Sequence, residues 1–257
     1  MELRHLGSTG IDVSPLGLGT VKIGRNEQVK YPQGFEIPGD QAVRRLFELA
    51  RELGINFIDT APAYGSSEER LGQLLPNRND WVIMTKVGEI FEKGESRFDF
   101  SAGHTRRSVE NSLSKLRRDH VDIVLVHSDG NDMDIINNQG ALEELHRLKQ
   151  EGLIRAYGMS TKTVEGGTWI VEHTDVVMAT YNLETDVELP VIERAHELNK
   201  GVVIKKGLQS GHAASVEDAF RLVLTQPGVS SMIVGTINAD HLRSNVDACN
   251  RVINTMV

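Results

Sequence analysis

The chain has one cysteine, Cys249, in 257 residues. A lone thiol excludes an intrachain disulfide, and with the nine histidines scattered no metal-binding cluster is evident. No apolar run approaches the roughly 20 residues that cross a bilayer. The opening residues Met1-Glu2-Leu3-Arg4-His5-Leu6-Gly7 lack the apolar heart of a secretion signal. An excess of positive charge is also missing: 28 Lys and Arg stand against 36 Asp and Glu, giving a net charge of -8. Nucleic acid and anionic membranes both call for a basic surface, so neither is expected as a partner. Low-complexity tracts and fixed-period repeats are absent. These absences set the first expectations: a cytoplasmic, metal-free, monomeric protein whose partner is a small molecule.

A dinucleotide-binding glycine turn is absent as well. Gly17 and Gly19 occur in Ser14-Pro15-Leu16-Gly17-Leu18-Gly19-Thr20, but no third glycine follows at the required spacing and no helix opens directly behind. The segment reads instead as a strand with close backbone packing.

What is present is the composition of an ordinary globular protein, 39% hydrophobic and 25% charged. Residues Leu3 to Val13 form a small hairpin around Gly7-Ser8-Thr9-Gly10. Between Gly24 and Gly39 runs a long polar loop with Pro32, Gly34 and Pro38, a length that goes with covering a site or a partner. Asp40 is then placed to cap a helix carrying Val43, Leu46, Phe47, Ala50 and Leu53 on one face, with Gly54 ending it.

From there short apolar strands alternate with amphipathic helices. The strands are Leu16 to Gly19, Ile55 to Ile58, Trp81 to Thr85, Asp122 to Val126, Ala156 to Met159, Val176 to Thr180, Val202 to Lys205 and Ser231 to Val234. The helices fall near 41–53, 67–75, 105–117, 139–150, 163–172, 190–199, 215–225 and 239–252. Eight alternations in a chain of this size predict a single (β/α)8 TIM barrel domain over residues 1–257, opened by the short N-terminal hairpin. An open doubly wound sheet is the rival, and it would carry the glycine turn that is missing.

In such a barrel the reactive groups stand where strands end at the C-terminal face. Strand two ends in Asp59, with Tyr64 five residues on; strand three ends in Lys86; strand four ends in His127. Singly, each has a bland explanation as a turn cap, a packed ring or a solvated end. Together, three consecutive strands deliver a carboxylate, a phenol, an ammonium and an imidazole to one place.

These residues carry a resemblance. Gly54-Ile55-Asn56-Phe57-Ile58-Asp59-Thr60-Ala61-Pro62-Ala63-Tyr64-Gly65 resembles the active-site signature of the aldo-keto reductases, Thr85-Lys86 their lysine strand and Val126-His127 their histidine strand. The resemblance implies NAD(P)H-dependent reduction of aldehydes or ketones to alcohols by hydride transfer. Tyr64 would be the general acid. An unperturbed phenol has a pKa of roughly 10, so a cation is needed to make it acidic, and Lys86 is that cation with Asp59 as its anchor. Neutral His127 would orient the carbonyl oxygen and share in proton transfer.

On the cofactor side, Gly158-Met159-Ser160-Thr161 resembles the segment holding the nicotinamide carboxamide, with Thr161 where the family has asparagine and Met178 where it commonly has glutamine. The run Lys205-Lys206-Gly207-Leu208 replaces the usual stacking tyrosine, and the loop from Gly207 to Ser215 is short. Gly235, Thr236 and Asn245 match the adenosine end, where backbone N–H groups opening the last helix suit a phosphate. His241 stands where many members recognise a 2′-phosphate with arginine, and Arg243 either substitutes for it or lies on a solvated helix face. The resemblance thus assigns Gly19, Thr20, Asp59, Ser160, Thr161, Lys205, Lys206, Gly235, Thr236, His241 and Asn245 to the cofactor, NADPH by family habit with NADH as the variant. The chain stops at Val257 without a long tail, which implies an open, permissive substrate site. Two other functions fit the same barrel: a sugar or polyol dehydrogenase running in the oxidative direction, and a cofactor-loaded sensor of redox state that regulates a partner.

Overall fold

The computed structural model describes residues 1–29, 31–32 and 34–255. Strands β1 (Arg4–His5) and β2 (Asp12–Val13) pair antiparallel as the expected hairpin. The barrel begins with β3 (Leu16–Gly19), β4 (Phe57–Asp59) and β5 (Val82–Val87). A second antiparallel hairpin, β6 (Glu89–Glu92) and β7 (Glu95–Phe98), follows β5. The barrel then continues through β8 (Val121–His127), β9 (Ile154–Ser160), β10 (Val176–Thr180), β11 (Gly201–Lys205) and β12 (Val229–Val234), and β12 pairs with β3 to close it. The eight barrel strands are parallel, and the sequence-based (β/α)8 reading holds.

Helices pack on the outside. They are α1 (Val21–Gly24), α2 (Asp40–Glu52), α3 (Ser67–Leu74), α4 (Ala102–Leu116), α5 (Asp132–Asn138), α6 (Ala141–Gln150), α7 (Val164–His173), α8 (Leu189–Glu197), α9 (Val216–Leu224) and α10 (Ala239–Asn254). Each large helix buries one stripe; in α2 this is Val43, Leu46, Phe47, Leu49 and Ala50. Gly54, at φ +82°, turns the chain from α2 into β4, a conformation glycine takes without a Cβ clash. The expectation that Asp40 caps α2 is not met. Gly39 holds the cap position, and the Asp40 carboxylate accepts from Arg70 at 2.8 Å. Neither α1 nor α5 was anticipated; both are too short to show a period. Among the described residues no helix is long and apolar enough to cross a membrane.

Two apolar layers result. One lies between strands and helices. The other fills the barrel, where Phe57, Met84, Ile123, Leu125, Ala156, Met178 and Val203 meet Leu6, Ile11 and Val13 from the hairpin. The hairpin therefore plugs the end of the barrel at which the strands begin. Side chains alternate in direction along a strand, so the inward row can be followed upward: Phe57 leads to Asp59, Met84 to Lys86, Leu125 to His127 and Val203 to Lys205. The strand register carries this across neighbours, with Lys86 beside Leu125, His127 beside Ser160 and Ser160 beside Met178. The same alternation that fills the barrel with apolar groups thus ends, at its mouth, in polar ones.

Candidate active site

At the mouth of the barrel Lys86 is the hub. Its ammonium donates to Oδ1 of Asp59 at 2.5 Å, to the Thr60 carbonyl at 2.9 Å and to the Tyr64 hydroxyl at 3.2 Å. An ammonium has three donors, and each has a partner here. The Lys86 side chain is 2% exposed and that of Asp59 7%, so neither charge would be tolerated without the other. Burial works against the Lys86 charge, but Asp59 and Tyr64 outweigh it and hold the pKa above its ordinary value. For Tyr64 burial wins: although Lys86 pulls its pKa down, the phenol is held above the ordinary range. It is therefore protonated at neutral pH, the form a proton donor needs.

Tyr64 is placed by its loop. Gly65 has φ +61°, and a Cβ on it would stand 2.2 Å from the Gly24 carbonyl oxygen. A Cβ on Gly24 would in turn stand 2.2 Å from the Tyr64 carbonyl oxygen. Two bare glycines are what let the turn after β4 seat on the end of α1. Hydroxyls tie the same corner together: Ser67 donates to Thr20 Oγ1 at 2.8 Å, and Thr20 donates to the Asp59 carbonyl at 2.8 Å.

His127 meets Tyr64 edge-on, with ring centres 6.4 Å apart. Its Nδ1 lies 2.8 Å from Oε2 of Glu89, the first residue of the inserted hairpin, which approaches the ring nitrogen obliquely. Burial holds the imidazole below its ordinary pKa, assisted by Lys86 and Lys205 and opposed by Glu89. Glu89 itself is buried against its charge, yet His127, Ser96 and Arg25 bring its carboxyl down to about 2. Ser96 donates to it at 2.6 Å, and Arg25 lies 3.5 Å away. Arg25 also stacks 3.4 Å over the Phe91 ring and donates to the Ala63 carbonyl at 3.1 Å.

A cavity of about 770 Å³ opens from this cluster, a size suited to a small-molecule ligand. Asp59, Tyr64, Lys86 and His127 line one part of it. Gly19, Thr20, Ser160, Lys205, Lys206, Gly235, Thr236, His241 and Asn245 also line it, so of the residues assigned to catalysis and to the cofactor all but one meet at a common cavity. Thr161 is the exception. It is fully buried, its hydroxyl donates to Glu188 at 2.9 Å, and its carbonyl accepts from Lys205 at 2.5 Å. One residue past Ser160, it faces away from the barrel axis. Met178 lines the cavity where an amide was looked for.

Lys205 also donates to Ser160 Oγ at 2.9 Å, and burial brings its pKa down to about 8 despite Glu188. At the far end, Asn238 caps α10 by accepting from the N–H groups of Asp240 and His241 at 2.8 and 3.1 Å. Two of the backbone donors looked to for a phosphate are thus already engaged. Arg243 is not among the cavity-lining residues.

Tyr31, Lys22 and Glu89 went unread in the sequence. Tyr31, from the polar loop, lines the cavity with Lys22 stacked 3.7 Å from its ring centre. Burial, then the nearby Tyr64 and Asp59, push its phenol upward. Glu89 carried a usable signal: the alternation of Glu89-Ile90-Phe91-Glu92 and Glu95-Ser96-Arg97-Phe98 around Lys93-Gly94 is a hairpin pattern, and both turn residues have positive φ.

The family model of the aldo/keto reductases matches residues 15–218. The chain belongs to the aldo/keto reductase family. It is therefore an oxidoreductase. A solved structure from Pseudomonas aeruginosa, described as a candidate aldo-keto reductase, is 54% identical and superposes with a TM-score of 0.91 over 98% of this chain and 95% of that one. L-galactose dehydrogenase of Arabidopsis thaliana is 30% identical over 293 residues, spanning 96% of this chain and 88% of that protein. The NADH-specific methylglyoxal reductase of Escherichia coli is 30% identical over 199 residues, 71% of this chain and 60% of that enzyme. The aldo-keto reductase signature read around Asp59 and Tyr64 falls inside the matched region.

Proposed function

We propose that this protein reduces small aldehydes or ketones to alcohols with a nicotinamide cofactor, Tyr64 serving as general acid. The observation that carries the reading is the Lys86 ammonium, which joins Asp59 and the Tyr64 hydroxyl in one buried cluster beside a cavity. A bound reduced nicotinamide supplies the hydride that the carbonyl carbon receives. The carbonyl oxygen then gains negative charge and takes the proton of Tyr64. The phenolate left behind is stabilised by Lys86 at hydrogen-bond distance, and Asp59 keeps that ammonium charged and in place. His127 faces the same cavity from the next strand.

The donor set fits the cofactor. Ser160 and Lys205 form a hydroxyl–ammonium pair suited to a carboxamide, standing in for the absent asparagine and glutamine. Gly19 and Gly235 offer bare backbone; a Cβ on Gly235 would meet the Tyr31 hydroxyl at 3.1 Å and the Gly19 carbonyl at 3.5 Å. Thr20, Lys206, Thr236, His241 and Asn245 complete the wall toward the adenosine end. With His241 as the basic side chain there and Arg243 outside the cavity, NADPH rests on family habit, and the relative from Escherichia coli makes NADH the second candidate. A sugar oxidised in the reverse direction, as the name of the Arabidopsis relative suggests, would use the same four residues. A monomer acting in the cytoplasm is part of this reading.

The test is consumption of NADPH and of NADH with 4-nitrobenzaldehyde, by wild type and Tyr64→Phe. The variant should lose at least about 100-fold in kcat, as for removal of a general acid, while cofactor binding by fluorescence stays near wild type. Unchanged turnover would remove Tyr64 from the role.

A further inference from the structure

His127 has two ring nitrogens, and the structure spends one of them. Nδ1 lies 2.8 Å from a Glu89 carboxylate oxygen. The carboxylate meets Nδ1 obliquely, so the contact is one of charge with dipole, and a full negative charge at that distance favours a proton on Nδ1 over a lone pair. Glu89 does not supply it: its carboxylate also accepts from Ser96 and faces Arg25, contacts that belong to the ionised form. The proton is therefore on Nδ1. The neutral ring carries only one proton, which leaves Nε2 bare toward the cavity that His127 lines.

We propose that Glu89 is a positioning residue that holds the proton of neutral His127 on Nδ1, so that the ring meets the substrate as a hydrogen-bond acceptor and turns donor only by taking up a second proton. A bare Nε2 can accept from an alcohol O–H but cannot donate to a carbonyl oxygen. Donation requires the imidazolium. Binding of the carbonyl form then draws in one proton from solvent, and binding of the alcohol does not. This differs from the simpler expectation of a neutral histidine donating to the carbonyl. The surroundings keep the resting ring neutral: burial, with the Lys86 and Lys205 ammoniums, disfavours the second proton and outweighs Glu89, which favours it. Tyr64 stands edge-on to the ring, and Arg25 and Ser96 hold Glu89 from its other side.

This inference rests on the proposed carbonyl–alcohol chemistry for its kinetic consequence, but its structural core does not need turnover. ¹⁵N-histidine NMR of the wild-type protein, with the His127 signals assigned by their loss in His127→Phe, should show the neutral ring protonated at Nδ1. A neutral ring protonated at Nε2 would overturn the proposal whether or not the protein reduces aldehydes. In kinetics, wild-type KM for an aldehyde should rise by about tenfold or more once pH passes the His127 titration, the worth of a charged hydrogen bond. KM for the matching alcohol should not rise. In Glu89→Gln the side-chain amide can donate to Nδ1 as readily as accept from it, which frees the neutral ring to carry its proton on Nε2. That variant should show a near-flat aldehyde KM across the same pH range and an Nε2–H signal. A Glu89→Gln protein that keeps the wild-type pH profile and the Nδ1–H ring would reduce Glu89 to a packing role and sink the idea.

Discussion

Lys205 donates a hydrogen bond to Ser160 across 2.9 Å, joining two strand ends with β10 between them. Burial brings this ammonium down to about 8 from the ordinary 10.5. A lysine with a depressed folded pKa binds fewer protons folded than unfolded between those two values. Stability should therefore rise with pH through that window as the buried charge is released. Lys205→Met removes the group: its Tm advantage over wild type should shrink as pH goes from 7 to 10 in scanning calorimetry. The same variant should bind nicotinamide cofactor more weakly by fluorescence titration. Equal cofactor affinity would take Lys205 out of the cofactor site.

The contact between Gly24 and Gly65 makes a different prediction. Gly65→Ala puts a side chain at φ +61° and a Cβ 2.2 Å from a carbonyl oxygen. Urea unfolding should show a loss of about 1–3 kcal/mol, the usual cost of such strain. The turn bearing Tyr64 must also shift, so kcat should fall while cofactor affinity holds. A variant of unchanged kcat would mean that the turn is not what places the phenol.

Asp122 offers the contrast. It is the second residue of β8, at the end of the barrel opposite His127, and accepts from the Ile83 N–H at 2.9 Å and from Arg155 at 2.8 Å, with Arg118 3.3 Å away. Its side chain is 3% exposed and that of Arg118 is 5% exposed. Asp122→Ala leaves that buried guanidinium with the Arg78 and Trp81 carbonyls but without its counter-charge, a loss of about 3 kcal/mol. In the protein that remains folded at 25 °C, kcat should match wild type. A fall in kcat equal to that of Gly65→Ala would argue that the two ends of the barrel are coupled.

The four catalytic candidates were legible because each is the last inward residue of a strand, or follows one within a short turn. Apolar runs such as Ile123 to Val126 mark the strand, and strict alternation says which polar residue comes next on the inside. The same rule, applied one step further, would have turned Thr161 away from the cavity. Tyr31 was hidden because the loop that bears it has no period, and its place depends on Lys22 and on the cavity wall. Glu89 was missed for another reason: its partner His127 is far along the chain, and local sequence holds no record of such a pair. The cap expected at Asp40 failed in the same way, since Arg70, from the next helix, competes for its carboxylate.

Arg25 bolts the turn after β4 to the inserted hairpin, through the Ala63 carbonyl, the Phe91 ring and Glu89. For protein engineering this sets the unit of exchange. Grafting the hairpin of a relative onto this barrel would leave a guanidinium without its ring unless residue 25 travels with it, and a histidine without its carboxylate unless the graft carries one at position 89. Recombination that respects the barrel strands alone would cut through this joint, and libraries that vary the two loops together should retain more active members than libraries that vary either one.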